Sequence, residues 1–189
     1  MSNTTVSSPV IKATSEDFST NMIPSHTVIT LHALTLCLTL DFTTQPSSFW
    51  TGEAFIPYRG TLLDTLSFYL KPAFNLPSNP PNILKVIISI SFPKPRTQSN
   101  SIRLTQRNLV NRVAGLLKYL EGEIEILYMC EEIEWSQAQC LAPFFGLRGR
   151  RKIKLKEGGR EARVLGAGSE MATKLQTEWR RMRDQRELY

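Results

Sequence analysis

One run of ten residues, 83–92 (ILKVIISISF), limits what this chain can fold into more than any other part of it. The run is rich in β-branched residues and is bounded by Pro81 on one side and by Pro93 and Pro95 on the other. An apolar run of this length between prolines is typical of a strand buried on both faces. The sequence therefore predicts a central strand of a sheet at residues 83–92.

The segment that follows has the pattern of a βαβ unit. Apolar residues recur at helical spacing over residues 105–120, where Thr105 can cap the helix and Gly122 can end it. Residues 123–129 then alternate between glutamate and apolar side chains, as a strand does. A strand, a helix and a second strand in this order predict a right-handed crossover with the two strands parallel.

The remaining elements complete a small α/β or α+β domain with a sheet of three to five strands. Alternation over residues 34–42 predicts a strand, and the opposite phase of the residues before it predicts a bulge or bend near Ala33. The lysine-rich residues 151–156 predict an edge strand, because charged side chains discourage further pairing. Met171, Leu175, Trp179 and Met182 form one apolar stripe in a C-terminal helix at residues 169–187.

The chain divides into three parts on these patterns. The patterns predict a disordered polar leader at residues 1–26, one α/β domain at residues 27–165 and a basic C-terminal helix at residues 166–189. Inside the domain, residues 43–81 carry six of the eleven prolines among scattered aromatic residues, which predicts an irregular segment except at residues 62–70, where leucines at helical spacing predict a short helix or strand. The centres of the three predicted strands, Ile88, Ile126 and Ile153, hint at repeated strand-helix units.

Composition places the chain among folded intracellular proteins. Hydrophobic residues make up 41% and charged residues 21% of the 189 residues, which is a globular composition. The three cysteines are odd in number and lie among apolar residues, as buried free thiols do. No apolar run reaches the roughly 18 residues of a membrane span, and the first residues lack the order of a secretory signal. We therefore expect a soluble protein of the cytoplasm or nucleus.

The positive charge is concentrated at the C-terminal end. Residues 121–147 hold six acidic residues and no basic one, whereas residues 148–189 hold thirteen basic residues against six acidic ones. The run 148–156 could bind phosphates, act as a nuclear-import signal or form a solvated edge strand facing the acidic block 121–134. The apolar stripe of the last helix suits either an acidic groove or the domain's own surface. The candidate partner or phosphate contacts are Arg148, Arg150, Arg151, Lys152, Lys154, Trp179, Arg180 and Arg183.

No pattern in the chain predicts a catalytic, metal or cofactor site. The glycine-rich turn 164–169 opens a helix, but Met171 occupies the third glycine position of a dinucleotide motif and no second strand follows. Only two histidines, His26 and His32, could act as a base that activates a nucleophile, and the spacing indicates this role for neither. Cys130 and Cys140 are too far apart for a zinc knuckle. We expect no cofactor, no metal and no enzymatic activity.

The order ILKVIISISF, LLKYLEG, EIEILYM, a lone Trp135, the AP-F-F-G-L segment and RKIKLK resembles a group of uncharacterised fungal proteins. Some of these are associated with an F-box, and strand and helix alternate in them as degenerate leucine-rich-repeat-like units. The resemblance covers about residues 83–156 and implies an α/β fold and a role in protein interaction. The prediction for function is a non-catalytic protein-interaction module with an unidentified protein partner. The alternative is a nucleic-acid-associated protein that uses the basic C-terminal third.

Overall fold

In a computed structural model the described residues, 11–13, 27–32, 34–70, 83–94 and 98–185, form a mixed sheet with helices on one side. The strands lie in the sheet in their order along the chain. They are β1 (Ile11–Ala13), β2 (Thr27–His32), β3 (Thr35–Asp41), β4 (Lys85–Ser91), β5 (Glu123–Cys130), β6 (Arg150–Glu157) and β7 (Arg163–Val164). Strands β3 to β6 are parallel, and the outer pairs on both sides are antiparallel. The α/β class is confirmed, but the prediction of three to five strands was wrong, because antiparallel strands extend the four parallel ones at both edges and give seven in the described part of the chain.

The helices form a single layer. They are α1 (Ser47–Thr51), α2 (Phe55–Leu70), α3 (Asn100–Leu116), α4 (Trp135–Ala138), a 3-10 segment (Gln139–Gly146) and α5 (Glu170–Asp184). Helix α3 contacts α1 and α2 on one side and the 3-10 segment on the other, and α5 contacts the 3-10 segment. Each parallel strand lies beside the one before it, so right-handed crossovers place every connection on the same face of the sheet.

The core lies between this layer and the inward face of the sheet. Ile88 is paired with Ile126, and Ile126 is paired with Ile153, so the three strand centres stand in one row across the sheet. Each is at most 5% exposed, and the buried residues of α3 pack over them. The predicted βαβ unit is therefore present, with its strands parallel and a repeated placement of isoleucine.

At the start of the domain, the chain reverses where a bulge or bend was predicted, and the leader prediction was wrong in part. The alternating residues on the two sides of Ala33 form the antiparallel strands β2 and β3 and not one bulged strand. Leu31 is paired with Leu36 in this hairpin, and both side chains are buried. The reversal of the chain between the two strands changes the phase of the apolar alternation and keeps one face buried, as the predicted bulge would have done. Residues 11–13, assigned to the leader, form β1; the rest of 1–26 lies outside the described residues.

The prediction of an irregular segment was wrong for residues 55–61, which are helical together with the short element expected at 62–70; residues 71–81 lie outside the described residues. Helix α2 runs for 16 residues through this region, and Tyr58, Leu62 and Leu66 are buried on its inner side. Pro57 lies in the first turn of the helix, where the missing N–H removes no intrahelical bond. The number of prolines was therefore a poor indicator of irregular structure, because a proline in the first turn is compatible with a helix.

The start of one helix and the place of one strand in the sheet also differ from the sequence predictions. Helix α3 begins at Asn100, where the Ser99 side chain accepts a hydrogen bond from the Ile102 N–H, and not at Thr105. Strand β6 is not an edge strand, because β7 pairs with it through Lys154 and Leu155. The C-terminal helix is confirmed as α5 and is capped by Ser169, whose side chain accepts from the Ala172 N–H.

Candidate binding surface

The outward face of the parallel strands has no described helix over it, and we call it the open face. Exposure alternates along β3, β4 and β5, with every second residue buried under the helices and the others only half-buried. The half-buried and exposed positions therefore share the opposite side of the sheet. The open face comprises Thr35, Cys37, Thr39, Asp41, Lys85, Ile87, Ser89, Ser91, Glu123, Glu125, Leu127, Met129, Arg150, Lys152, Lys154 and Lys156.

An oblique row of four apolar side chains crosses the open face, and we call it the apolar centre: Cys37 on β3, Ile87 on β4, and Leu127 and Met129 on β5. Polar residues lie directly beside them, because Ile87 is paired with Glu125, and Leu127 and Met129 are paired with Ser89 and Ser91. All four side chains are half-buried, and none belongs to the core cluster under the helices. Helix packing onto the sheet does not account for apolar residues at these positions, so they form a second apolar surface of the domain.

An ionic network crosses the open face next to this apolar centre. Lys85 on β4 lies 3.4 Å from a carboxylate oxygen of Glu123 and 3.3 Å from one of Glu125. Lys154 on β6 donates to the other oxygen of Glu125, which thus bridges two strands. The hydrogen bond from Lys154 holds the pKa of the Glu125 carboxyl below its ordinary value of 4.5 against a raising effect of burial, and Lys85 adds to the lowering. The predicted pairing of the acidic block with the basic run is confirmed here.

A row of cations lines one side of the open face. Arg150, Lys152, Lys154 and Lys156 occupy alternate positions of β6 and so project from the same side of the strand. Only Lys154 has a carboxylate partner among the described residues. The other three are exposed. Five cations face three carboxylates over the open face, and the excess lies on the β6 side.

A shallow pocket opens where the parallel strands end, next to the last row of the open face. Its volume is about 460 Å³, and Phe92, Pro93 and Met129 supply apolar walls. Lys94 and Lys156 stand at its border, and Lys94 is paired with Glu131 at 2.9 Å. The pocket can therefore accept an apolar group while a cation remains beside it.

The other basic residues of the predicted run lie away from the open face. The Arg148 guanidinium lies 5.7 Å from the centre of the Tyr119 ring. Arg151 is directed to the helix side, where it lies 5.1 Å from the centre of the Phe145 ring and donates to the Leu147 carbonyl. Partial burial lowers the pKa of the Arg151 guanidinium. The run 148–156 is thus split between two sides of the sheet.

The predicted contacts on the C-terminal helix are on the helical layer. Trp179 packs against Gly146 of the 3-10 segment, where an added Cβ would overlap the indole ring. Arg183 lies over the outer side of this ring at 5.2 Å and pairs with Asp184, and Arg180 is exposed. Of the two alternatives for this helix, it is the domain's own surface that α5 contacts. The cations of α5 and those of β6 therefore point to opposite sides of the molecule.

The glycine-rich turn leads into a second pocket, of about 450 Å³, at the start of α5. Its lining holds two carboxylates, Glu157 and Glu170, and two cations, Arg163 and Lys174, of which Lys174 is paired with Glu170, so it has no excess of positive charge for a pyrophosphate. The Ser169 side chain already accepts from the Ala172 N–H at the helix start. This lining therefore offers little to a dinucleotide.

Two of the three cysteines are inert thiols. Cys130 and Cys140 are free and buried, and burial raises the pKa of the Cys130 thiol to about 11 and that of Cys140 still further. Cys37 differs from the prediction, since it is half-buried on the open face. Within the described ranges no group of three His, Cys, Asp or Glu residues is arranged to hold a metal ion. His26 lies outside the described residues, and His32 is described only as part of β2.

No family model, curated protein or solved structure matches the chain. In the described part, no helix has both the length and the apolar content to cross a membrane. The function must therefore be inferred from the surfaces of the protein. Sequence reasoning missed Ile87, Leu127 and Met129 as surface residues. The signal was present in the strict alternation of β5, whose outward positions are two glutamates followed by Leu127 and Met129.

Proposed function

We propose that this protein is a non-catalytic interaction module that binds a protein partner on the open face. The observation that carries the proposal is the apolar group Ile87, Leu127 and Met129 on a sheet face without a described helix over it. Apolar side chains in the middle of a polar rim are typical of protein-binding surfaces. The neighbouring pocket at the strand ends offers a place for an anchoring side chain.

A photo-cross-linking residue tests this proposal directly. We would place it at Ile87 on the open face and, as a matched control, at the exposed Gln176 of α5. In cells that express the protein, we expect a discrete cross-linked partner from position 87 and none of the same mass from position 176. Equal products from both positions, or products from 176 alone, would contradict the use of the open face.

The alternative, a nucleic-acid-associated protein, draws on Arg150, Lys152 and Lys156, which have no carboxylate partner in the described part of the chain. Two observations favour a protein partner instead. The outward positions of β3 to β6 hold no aromatic residue on which a base could stack. The cations of α5 lie on the helical layer and cannot join those of β6 along one phosphate backbone.

A titration against mixed RNA and DNA at two salt concentrations separates the two functions. Binding that persists at about 150 mM salt and is lost in Arg150→Ala/Lys152→Ala/Lys156→Ala would favour nucleic acid. Binding confined to low salt is the unspecific attraction of a protein with net charge +6 and would leave the protein-partner proposal in place.

A further inference from the structure

We infer that the partner segment bound on the open face is an amphipathic helix with acidic residues along one flank only. This inference rests on the proposed function and adds the chemistry of the partner. It is carried by the asymmetry of the open face, which has an apolar centre on β4 and β5 and unpaired cations only on the β6 side.

The secondary structure of the partner segment follows from the groups that the open face presents. A sheet face presents side chains and no unpaired backbone groups, so an extended segment laid on it would leave its own N–H and C=O groups without partners. A helix satisfies its backbone internally and needs only an apolar stripe toward the sheet. Strands β3 to β6 span about 15 Å from first to last at a spacing of about 4.8 Å, which accommodates a helix about 10 Å across.

The charge of the partner follows from the cations of β6. Lys85 and Lys154 are already paired with Glu123 and Glu125, so they contribute little attraction to a further carboxylate. Arg150, Lys152 and Lys156 are exposed, and the carboxylates of β5 leave them unpaired. Each would gain an ion pair from an acidic residue on the facing flank of the helix.

The spacing of these cations also matches a helix that lies along the strands. Arg150 and Lys152 are separated by two strand residues, or about 6.6 Å. Residues four apart on a helix are separated by about 6 Å. Acidic residues at positions i and i+4 of the flank can therefore face Arg150 and Lys152 together.

The other flank and the end of the helix have different surroundings. On the β3 side the outward residues are Thr35, Cys37, Thr39 and Asp41, and the one charge among them is negative. That flank should therefore show no preference for acidic residues. At the carboxyl ends of the strands, the pocket formed by Phe92, Pro93 and Met129 can take one large apolar side chain of the helix, and Lys156 remains beside it.

A display selection on the full chain tests this chemistry. The library would consist of 18-residue peptides with leucine fixed at the helical a and d positions and with Glu, Gln or Lys allowed at each position of the two flanks. We expect retained peptides to carry Glu on the flank that faces β6 and to show no preference for Glu on the other flank. We expect the Lys152→Glu/Lys156→Glu protein to lose this preference for Glu and to favour Lys opposite the two substituted positions, because those two positions then carry negative charge.

A matched variant controls for net charge. Arg180→Glu/Arg183→Glu changes the charge by the same amount on the helical layer and should leave the selected flank unchanged. In a direct titration, a selected Glu peptide should bind the Lys152→Glu/Lys156→Glu protein at least about tenfold more weakly than the unaltered chain. The control variant should bind it as the unaltered chain does.

The possible outcomes distinguish this inference from the proposed function on which it rests. Retained peptides without a charge preference would overturn the inference, and a specific cross-link from position 87 would then leave the proposed function standing. Retention of no peptide, or equal weakening by both charge variants, would also overturn the inference. Selection that is unchanged by Leu127→Asp, together with no cross-link from position 87, would overturn both proposals.

Discussion

The Arg107 guanidinium on α3 donates a 2.9 Å hydrogen bond to the Glu178 carboxylate on α5. This pair joins the last helix to the helical layer, at a point where only 11% of the Glu178 side chain is exposed. It helps to hold α5 among the other helices and leaves the opposite side of the sheet open. The availability of the sheet face therefore depends on contacts made on the other side of the molecule.

Removing this ion pair should loosen α5. Arg107→Ala leaves the half-buried Glu178 with Arg181 as its remaining cation, and we expect a loss of about 1 to 3 kcal/mol in the free energy of unfolding. The exposed Arg112 on the same helix provides the control, and Arg112→Ala should change stability by less than about 0.5 kcal/mol. Chemical denaturation measures both. Equal effects would show that Arg107 does not fix α5.

Acid should destabilise the fold through two carboxylates. The pKa of Glu178 is held below 4.5 by Arg181 first and by Arg107, and that of Glu125 by Lys154 first and by Lys85. A lowered folded-state pKa stabilises the fold above the unfolded-state pKa, and this stability is lost as pH falls through the folded-state value. We expect the denaturation midpoint to fall below about pH 4.5. In Glu125→Gln the fall should be shallower than in a Glu161→Gln control; equal slopes would contradict this assignment.

Two glycines should respond to alanine with opposite signs. A Cβ on Gly122 would overlap the Leu84 carbonyl oxygen, which accepts a hydrogen bond from the Glu123 N–H where β5 begins. Gly122→Ala should therefore destabilise the fold by more than about 1 kcal/mol. A Cβ on Gly60 in α2 meets nothing within 4 Å, and Gly60→Ala should stabilise it by about 0.5 to 1 kcal/mol. Thermal unfolding of the two variants checks the sign of each change.

Substitutions of two buried glutamines should change the free energy of unfolding in opposite directions. Gln106 on α3 is fully buried, and neither of its amide atoms has a hydrogen-bond partner in the part of the chain described. Gln106→Met should raise the free energy of unfolding by about 1 kcal/mol, because it removes an unsatisfied polar group at similar volume. Gln137 donates to the Pro93 carbonyl at 3.0 Å, so Gln137→Met should lower it. A stabilising Gln137→Met or a destabilising Gln106→Met would contradict this account of the two sites.

The central part of the fold could be predicted because its pattern is local and repeated. Residues 83–92 and 123–129 show strand patterns that differ sharply from the helical spacing between them, and the structure has β4, β5 and α3 in these places. The sequence did not show that β4 would have one open face, since Ile87 and Ile88 are equally apolar. Which of them is covered depends on the crossovers all lying on one side.

The candidate site could be predicted only in part. The cations of β6 stood out as a run, but their division between Arg151 on the helix side and Lys152 on the open face depends on strand phase. Leu127 and Met129 gave no functional signal, because apolar residues in a strand usually belong to a core. Only residues 62–70 of helix α2 were anticipated, as a short helix or strand; its first half was missed because Pro57 was taken as a sign of irregular structure, although it lies in the first turn.

Alkylation of Cys37 in the folded protein tests the central claim, that the outward side of the sheet is open, most directly. Cys37 lies in that surface, whereas Cys130 and Cys140 are buried under the helices. Under native conditions a maleimide should modify Cys37 rapidly and alone, and the other two thiols only after unfolding. Protection of Cys37 to the same degree as Cys140 would show that the open face is covered and would contradict the account.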